Sequence, residues 1–214
     1  MKTFNLLKYI KSKAFIFWDF DGVIKDSLGI KGDIFANIFM TYGDNFMNRV
    51  RNHHYENGGL SRYEKIRTYL EWTGEVHSVE ELATQFSNVA IDAVINSPWV
   101  PGVESYLRAK PDSQKYILFS ATPQEEIETI LLSLELESVF DGVYGSPIDK
   151  RESIKKFIED NNINPYDCIF IGDSMSDLKA SITNEVKFIL RKHELNADIF
   201  NGYDGLYLED FLNI

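Results

Sequence analysis

The sequence contains a single cysteine, Cys168, so no intramolecular disulfide can form. Its place in the apolar run CIFIG makes it a small core residue rather than a nucleophile. Positive charge is also scarce: 22 Lys and Arg against 33 Asp and Glu leave a formal charge of −11. That balance excludes the broad basic face of a nucleic-acid binder, so a charged partner has to be recognised locally. No apolar run approaches the roughly eighteen residues of a membrane span, and the opening MKTFNLLKYIKSKAFIF lacks the apolar core and small-residue cleavage site of a secretory signal. A soluble, cytoplasmic protein without membrane contact is expected. Internal repeats and low-complexity tracts are absent as well. What remains is ordinary for a folded chain, with 44% hydrophobic and 26% charged residues. At about 150 residues per domain, 214 residues make one to two domains.

Four short β-rich runs stand out: AFIFWDF (14–20), KYILF (115–119), CIFIG (168–172) and VKFIL (186–190), with a weaker one, DGVYG, at 141–145. Apolar residues at both parities are the pattern of parallel strands covered on two faces. Helical segments at 123–134 and 148–159 lie between the later runs, so strand and helix alternate and the class is α/β. The interval from Phe20 to Lys115, more than ninety residues, far exceeds a single crossover. It reads as inserted helices near 30–41, 44–56, 61–72 and 78–95, returning through NSPWVPG at 96–102 to a short helix around Val103 and Leu107. The final LYLEDFLNI predicts a short terminal helix.

The first strand ends FIFWDFDGVIKDS, setting Asp19 and Asp21 two residues apart where open α/β sheets carry their ligands. Carboxylates facing one way repel, and protonating one or binding a divalent metal relieves this. The plainer reading is a turn with Asp19 solvated at its edge. A second acidic cluster weighs against it: in CIFIGDSMSD, Asp173 directly follows a strand and Asp177 comes four residues later. Asp177 is also an ordinary helix cap or dipole partner. Oxygen donors of this kind suit Mg²⁺. Between these clusters, ILFSATPQ offers the hydroxyls of Ser120 and Thr122 beside a helix start, where free amides favour anions. Lys150, in GSPIDKRESIKKF, begins a helix against the dipole and so calls for an anion nearby. Otherwise Lys150, Arg151, Lys155 and Lys156 form one solvated face.

Acids, hydroxyl, lysine and acids in this order resemble the four motifs of the haloacid dehalogenase superfamily, within it the phosphoglycolate phosphatase and β-phosphoglucomutase group. DFDGVIKDS is similar to the first motif, with Asp19 at the nucleophile and Asp21 at the acid/base; Ser120 matches the second, Lys150 the third, and Asp173 and Asp177 in GDSMSD the fourth. The resemblance implies a Rossmann-like, doubly wound parallel sheet formed by residues 1–24 and 97–214, with an α-helical cap at 25–96. It further implies a Mg²⁺-dependent phosphatase that hydrolyses a small phosphorylated metabolite through an aspartyl-phosphate. Asp19, Asp21, Asp173 and Asp177 would serve the metal, Asp21 through its backbone carbonyl. Asp19, Asp21, Ser120 and Lys150 would act in catalysis, and Ser120, Thr122 and Lys150 would meet the substrate. The second Asp points to phosphorus rather than halocarbon chemistry. A phosphonate-cleaving member would need a Schiff-base lysine from the cap, for which Lys31 or Lys65 is in place.

In the insertion, GGLSRYEK at 58–65 resembles a cap loop whose Ser-Arg pair meets the substrate, which makes Arg62 the specificity candidate; a capping Ser61 followed by a solvated arginine is the alternative. The adjacent His53 and His54 cannot share one helix face, so a paired metal site is not expected of them. Lys25 and Lys31 near the hinge are expected to add positive field, and Trp18, Trp72 and Trp99 to pack. Rival readings are a sugar-phosphate mutase, opposed by Lys31 where β-phosphoglucomutases carry a histidine; a phosphoacceptor signalling domain, opposed by motif order and the insertion; and a catalytically silent binding protein.

Overall fold

The structure is a computed structural model and describes residues 6–212. Its centre is a six-stranded parallel sheet of β1 (Phe15–Trp18), β2 (Lys115–Pro123), β3 (Gly142–Ser146), β4 (Cys168–Gly172), β5 (Lys187–Arg191) and β6 (Leu206–Leu208), in the order β3-β2-β1-β4-β5-β6. Because β1 is the first strand of the chain yet lies between β2 and β4, the order reverses there. A reversal of this kind opens a crevice at the carboxyl ends of the strands. Trp18 pairs in register with Leu118 of β2 and Ile171 of β4. The residues that follow these three strands therefore emerge side by side.

Alternation within the strands supplies both sheet faces. Ile16 and Trp18 of β1 join Leu118, Ile169 and Ile171 in one buried cluster, while Phe17 joins Ile117, Phe119 and Phe170 in another, against Ile154 and Phe157. The helices that cover the sheet are α1 (Leu6–Lys11), α6 (Val103–Arg108), α7 (Gln124–Ser133), α8 (Lys150–Asp160) and α9 (Met175–Thr183). Cys168 is fully buried, as its apolar surroundings predict, and burial pushes its thiol up to about 12.

Between β1 and β2 stand α2 (Leu28–Ile38), α3 (Asp44–Glu56), α4 (Arg62–Thr73) and α5 (Val79–Asn96). They bury a cluster of their own, with Phe35, Phe39, Tyr69 and Phe86 at its centre. At residues 24–26 and 98–100 the two connecting segments run side by side: the Asp26 amide donates to the Pro98 carbonyl at 2.8 Å and the Val100 amide to the Ile24 carbonyl at 3.0 Å. Local signals set the ends of α4: Ser61 and Glu64 form a reciprocal capping box, and Gly74 closes the helix in a left-handed conformation.

The carboxyl-terminal segment corrects the sequence expectation. Residues 206–208 form β6 rather than a helix, because Leu208 turns into the core while Tyr207 points outward, a period of two, and β5 offers a free edge. Phe211 then stacks on Trp18 with ring centroids 5.5 Å apart. The last residues of the expected helix, 213 and 214, lie outside the described residues.

Candidate active site

Asp19 leaves β1 with its amide donating to the Ile171 carbonyl at 2.9 Å, which fixes it beside β4. Asp173 follows β4, and Asp177 stands in the first turn of α9, where Ser174 and Asp177 cap the helix reciprocally. Each of these three acids offers a carboxylate oxygen within 4.8 Å of the others, and all three are buried. The cap reading of Asp177 is seen directly, in the same side chain that joins the acidic cluster. One of its oxygens accepts from the Asp173 and Ser174 amides at 3.2 and 3.1 Å, and the other accepts from Lys150 at 2.7 Å.

Lys150, the first residue of α8, reaches across the crevice and also donates to Asp19 at 2.7 Å. The anion that its unfavourable position on the helix dipole calls for is this pair of carboxylates. Burial opposes its charge, yet Asp177 and Asp19 together hold its ammonium above the ordinary lysine value. The solvated-face alternative holds for Arg151 and Lys155, which are exposed, and not for Lys150.

One ammonium does not balance three carboxylates. Burial, and next the Asp177 carboxylate, push Asp19 and Asp173 well above the ordinary carboxyl range; Lys150 works against this for both. Asp173 has a further neighbour: His193 Nε2 lies 3.0 Å from its Oδ2, and burial, assisted by Arg191, lowers His193 to about 4, so at neutral pH the imidazole is neutral. Asn196 donates to the Asp173 carbonyl at 2.9 Å. Gly22 has φ +75° and lies against Asp173; a Cβ there would overlap the carboxylate, so the Asp-Gly pair is required by close approach as well as by the turn.

Asp21 is not one of the three acids around the shared point. Its carboxylate accepts from Lys31 at 2.5 Å, Ser27 at 2.6 Å and Thr122 at 3.3 Å. Burial opposes its ionisation, but Lys31 and Ser27 outweigh burial and hold it below the ordinary carboxyl range. Ser120 is buried and its hydroxyl accepts from the Thr122 amide at 3.1 Å, which leaves its proton for another acceptor.

The basic residues of the insertion divide differently from expectation. Lys31 faces Asp21, whereas Lys25 is bound to the Ile95 carbonyl at 3.0 Å and lies over the Trp99 ring at 4.4 Å, a hinge role and not a field at the crevice. Arg62, the specificity candidate, forks its guanidinium onto Glu126 of α7 at 2.8 and 2.5 Å and also meets Ser87. A bidentate carboxylate satisfies the fork of an arginine, so in this structure Arg62 ties the insertion to the core. The histidines stay apart: His53 lies against Tyr69, while His54 is buried with Nδ1 3.0 Å from Lys65 Nζ. Among the described residues, sequence reasoning missed His193, Asn196 and Glu126. His193 lies two residues past the end of β5, and the strand-end rule applied to a fifth strand would have found it.

A parallel sheet with a topological reversal, an acidic triad and a lysine at its carboxyl rim is the frame of an α/β enzyme. The chain belongs to the haloacid dehalogenase-like hydrolase family, whose model matches residues 16–191. Among solved structures it is similar to CbbY from Rhodobacter sphaeroides in complex with phosphate, at 13% identity and a TM-score of 0.74, covering 94% of this chain and 96% of that one. It is also similar to a provisional phosphoglycolate phosphatase from Lactobacillus plantarum, at 16% identity and a TM-score of 0.70, covering 94% and 97%. A subfamily IA hydrolase of the superfamily from Geobacter sulfurreducens, at 17% identity, has a TM-score of 0.64 over 94% of this chain and 93% of that one. At these identities the likeness shows the fold. No curated protein matches the sequence.

Proposed function

We propose that this hydrolase is a Mg²⁺-dependent phosphatase acting on a small phosphate monoester, with Asp19 as nucleophile and the helices at 25–96 as a cap over the crevice. The observation that carries this reading is the shared point between Asp19, Asp173 and Asp177, opposite Lys150. The residues fit a divalent cation. Three buried carboxylates against one lysine leave surplus negative charge, expressed in the raised protonation of Asp19 and Asp173, and all the donors are hard oxygens. Asp19 and Asp173, with the backbone carbonyl of Asp21, would hold the ion, and Asp177 would orient its waters. When bound, the ion supplies charge neutralisation that returns Asp19 to its carboxylate form and screens it from the incoming phosphate.

The chain's own groups then divide the work. The Asp19 carboxylate attacks phosphorus and the bond to the ester oxygen breaks, giving an aspartyl-phosphate. Lys150 and the Ser120 hydroxyl then hold the phosphoryl oxygens. Asp21 protonates the departing oxygen and afterwards accepts a proton from the water that attacks phosphorus, which releases Asp19. Lys31 keeps Asp21 ionised in the free enzyme; a phosphate beside it opposes Lys31 and favours the protonated form that the first step needs. Thr122 braces Asp21 rather than the phosphate.

Release of inorganic phosphate from an aryl phosphate and from a panel of small phosphorylated metabolites, in Mg²⁺ and in excess chelator, tests the reading. Metal-dependent release that disappears in Asp19→Asn is expected. Full activity in chelator or in that variant contradicts it. Phosphoryl transfer between sugar hydroxyls without net release would favour a mutase instead.

A further inference from the structure

The run KHELN at 192–196 follows β5 and takes no part in the chemistry at phosphorus, yet it supplies two polar side chains that converge on Asp173. Strand pairing continues at Lys192, whose amide donates to the Leu208 carbonyl at 2.8 Å, and His193 is still extended. The chain then bends through the single turn Glu194–Asn196. Asn196, 3% exposed, holds that bend with its whole carboxamide: Oδ1 accepts from the His193 amide at 2.9 Å, and Nδ2 donates to the Asp173 and Arg191 carbonyls, both at 2.9 Å. One acceptor and two donors match one amide and two carbonyls, so this orientation alone satisfies every partner. The ends of β4 and β5 are thereby tied together, and the His193 ring is directed at Asp173.

The Asp173 carboxylate is confined on two sides. His193 Nε2 lies 3.0 Å from Oδ2, and the two side chains are 9% and 4% exposed. Opposite, a Cβ on Gly22 would fall 2.1 Å from the same oxygen, so the Gly22 backbone stands directly against it. Asp177 does not compete for this position, because it takes the Asp173 amide instead. A free carboxylate turns about its side-chain bonds, and that freedom has to be given up when it is fixed on a partner. Pinning Oδ2 removes the freedom beforehand, while the group stands within 4.8 Å of the Asp19 and Asp177 oxygens. An Asp173 that holds a cation is ionised and can only accept, so the imidazole serves it as an Nε2–H donor.

We propose that His193, set in place by Asn196, is a positioning residue that fixes the Asp173 carboxylate for its cation and so decides how tightly the ion is held. The proposal rests on the reading of Asp173 as a metal ligand and adds to it a residue that touches neither ion nor substrate. Outer hydrogen bonds of this kind are worth about 10–100-fold in metal affinity.

Titration of the full chain with Mn²⁺ as a paramagnetic stand-in for Mg²⁺, without substrate and read by the electron paramagnetic resonance of the free ion, tests this without turnover. His193→Leu is expected to bind Mn²⁺ about 10–100-fold more weakly than the wild type. His193→Gln, whose amide can donate to the same oxygen, should stay within about 3-fold of the wild type, and Asn196→Ala, which frees the turn, should fall between the two. Phe200→Leu controls for loosening alone: it thins the apolar cluster of Phe188 and Leu190, has no polar group to lend Asp173, and should bind Mn²⁺ as the wild type does. In turnover, His193→Leu should need a correspondingly higher Mg²⁺ concentration and regain the wild-type kcat to within about 3-fold at saturation. Wild-type affinity in His193→Leu, an equal loss in His193→Gln, or an equal loss in Phe200→Leu overturns the proposal. A wild type that binds no Mn²⁺ overturns the metal reading of Asp173 and this proposal with it, whereas Mn²⁺ binding that is the same in every variant overturns the role of His193 alone.

Discussion

Asp173→Asn should make the metal-free protein more stable while destroying its response to metal. At 4.8 Å, the upper limit within the triad, two carboxylates repel by about 3.5 kcal/mol at an effective dielectric near 20, and Asp173 faces two such neighbours. Among the described residues its close side-chain partner is the neutral His193, with which the carboxamide of the variant can keep a hydrogen bond in either direction. Attraction to Lys150 and partial protonation of the wild-type triad offset most of the repulsion, which leaves a net gain of about 2 kcal/mol. For a chain of this size that is a rise in melting temperature of about 4–8 °C. The pH dependence has a defined sign. Burial and Asp177 raise Asp173 above its ordinary value of 3.8, so the folded state binds this proton more tightly than the unfolded one. Stability in chelator therefore falls as pH rises from 3.8 through the raised value, and the variant should lose part of that slope. Scanning calorimetry of both proteins, in chelator and in excess Mg²⁺ from pH 4 to 8, measures all of this. A variant less stable than the wild type in chelator, or an equal stabilisation of both by Mg²⁺, would refute the reasoning.

Lys150→Met leaves Asp19 and Asp177 without their shared cation, and urea denaturation in chelator should show a loss of about 3 kcal/mol, partly recovered in Mg²⁺. Lys31→Met removes the charge that keeps Asp21 ionised against burial, so the acid limb of the kcat/KM–pH profile should move upward; an unmoved limb would count against Lys31 as the group that holds Asp21. Arg62→Ala, or Glu126→Gln, breaks the forked ion pair between α4 and α7, and hydrogen exchange should register an opening easier by about 1–3 kcal/mol in the insertion helices, with the sheet unchanged.

The parallel sheet was legible because β1, β2, β4 and β5 are buried on both faces and carry apolar residues at both parities. β6 was not, since three residues with one outward tyrosine give too short a period to separate strand from helix. The strand-end groups were legible for a related reason. Parallel register brings the residues after Trp18, Phe119 and Gly172 to one rim, so Asp19, Ser120 and Asp173, distant in sequence, read as a set. The insertion hid its chemistry. Arg62 and Lys65 lie on adjacent turns of one helix and look alike in sequence, but Glu126 of α7 takes the first and leaves the second enclosed beside His54. Which basic side chain finds an acid across a domain boundary depends on packing that no local pattern encodes. Lys25 and Lys31 show the same limit: one is held by a carbonyl and a tryptophan ring, the other by Asp21.

The claim beneath the mechanism is that Asp19 carries the phosphoryl group. Acid quench during turnover with Mg²⁺, followed by tryptic mass analysis, reads it directly, because residues 14–25 form one peptide that contains Asp19. One phosphoryl mass on that peptide, removable by hydroxylamine and absent in Asp19→Asn, is the predicted result. Phosphate release with that peptide unmodified throughout turnover, or the label on another segment, would contradict it.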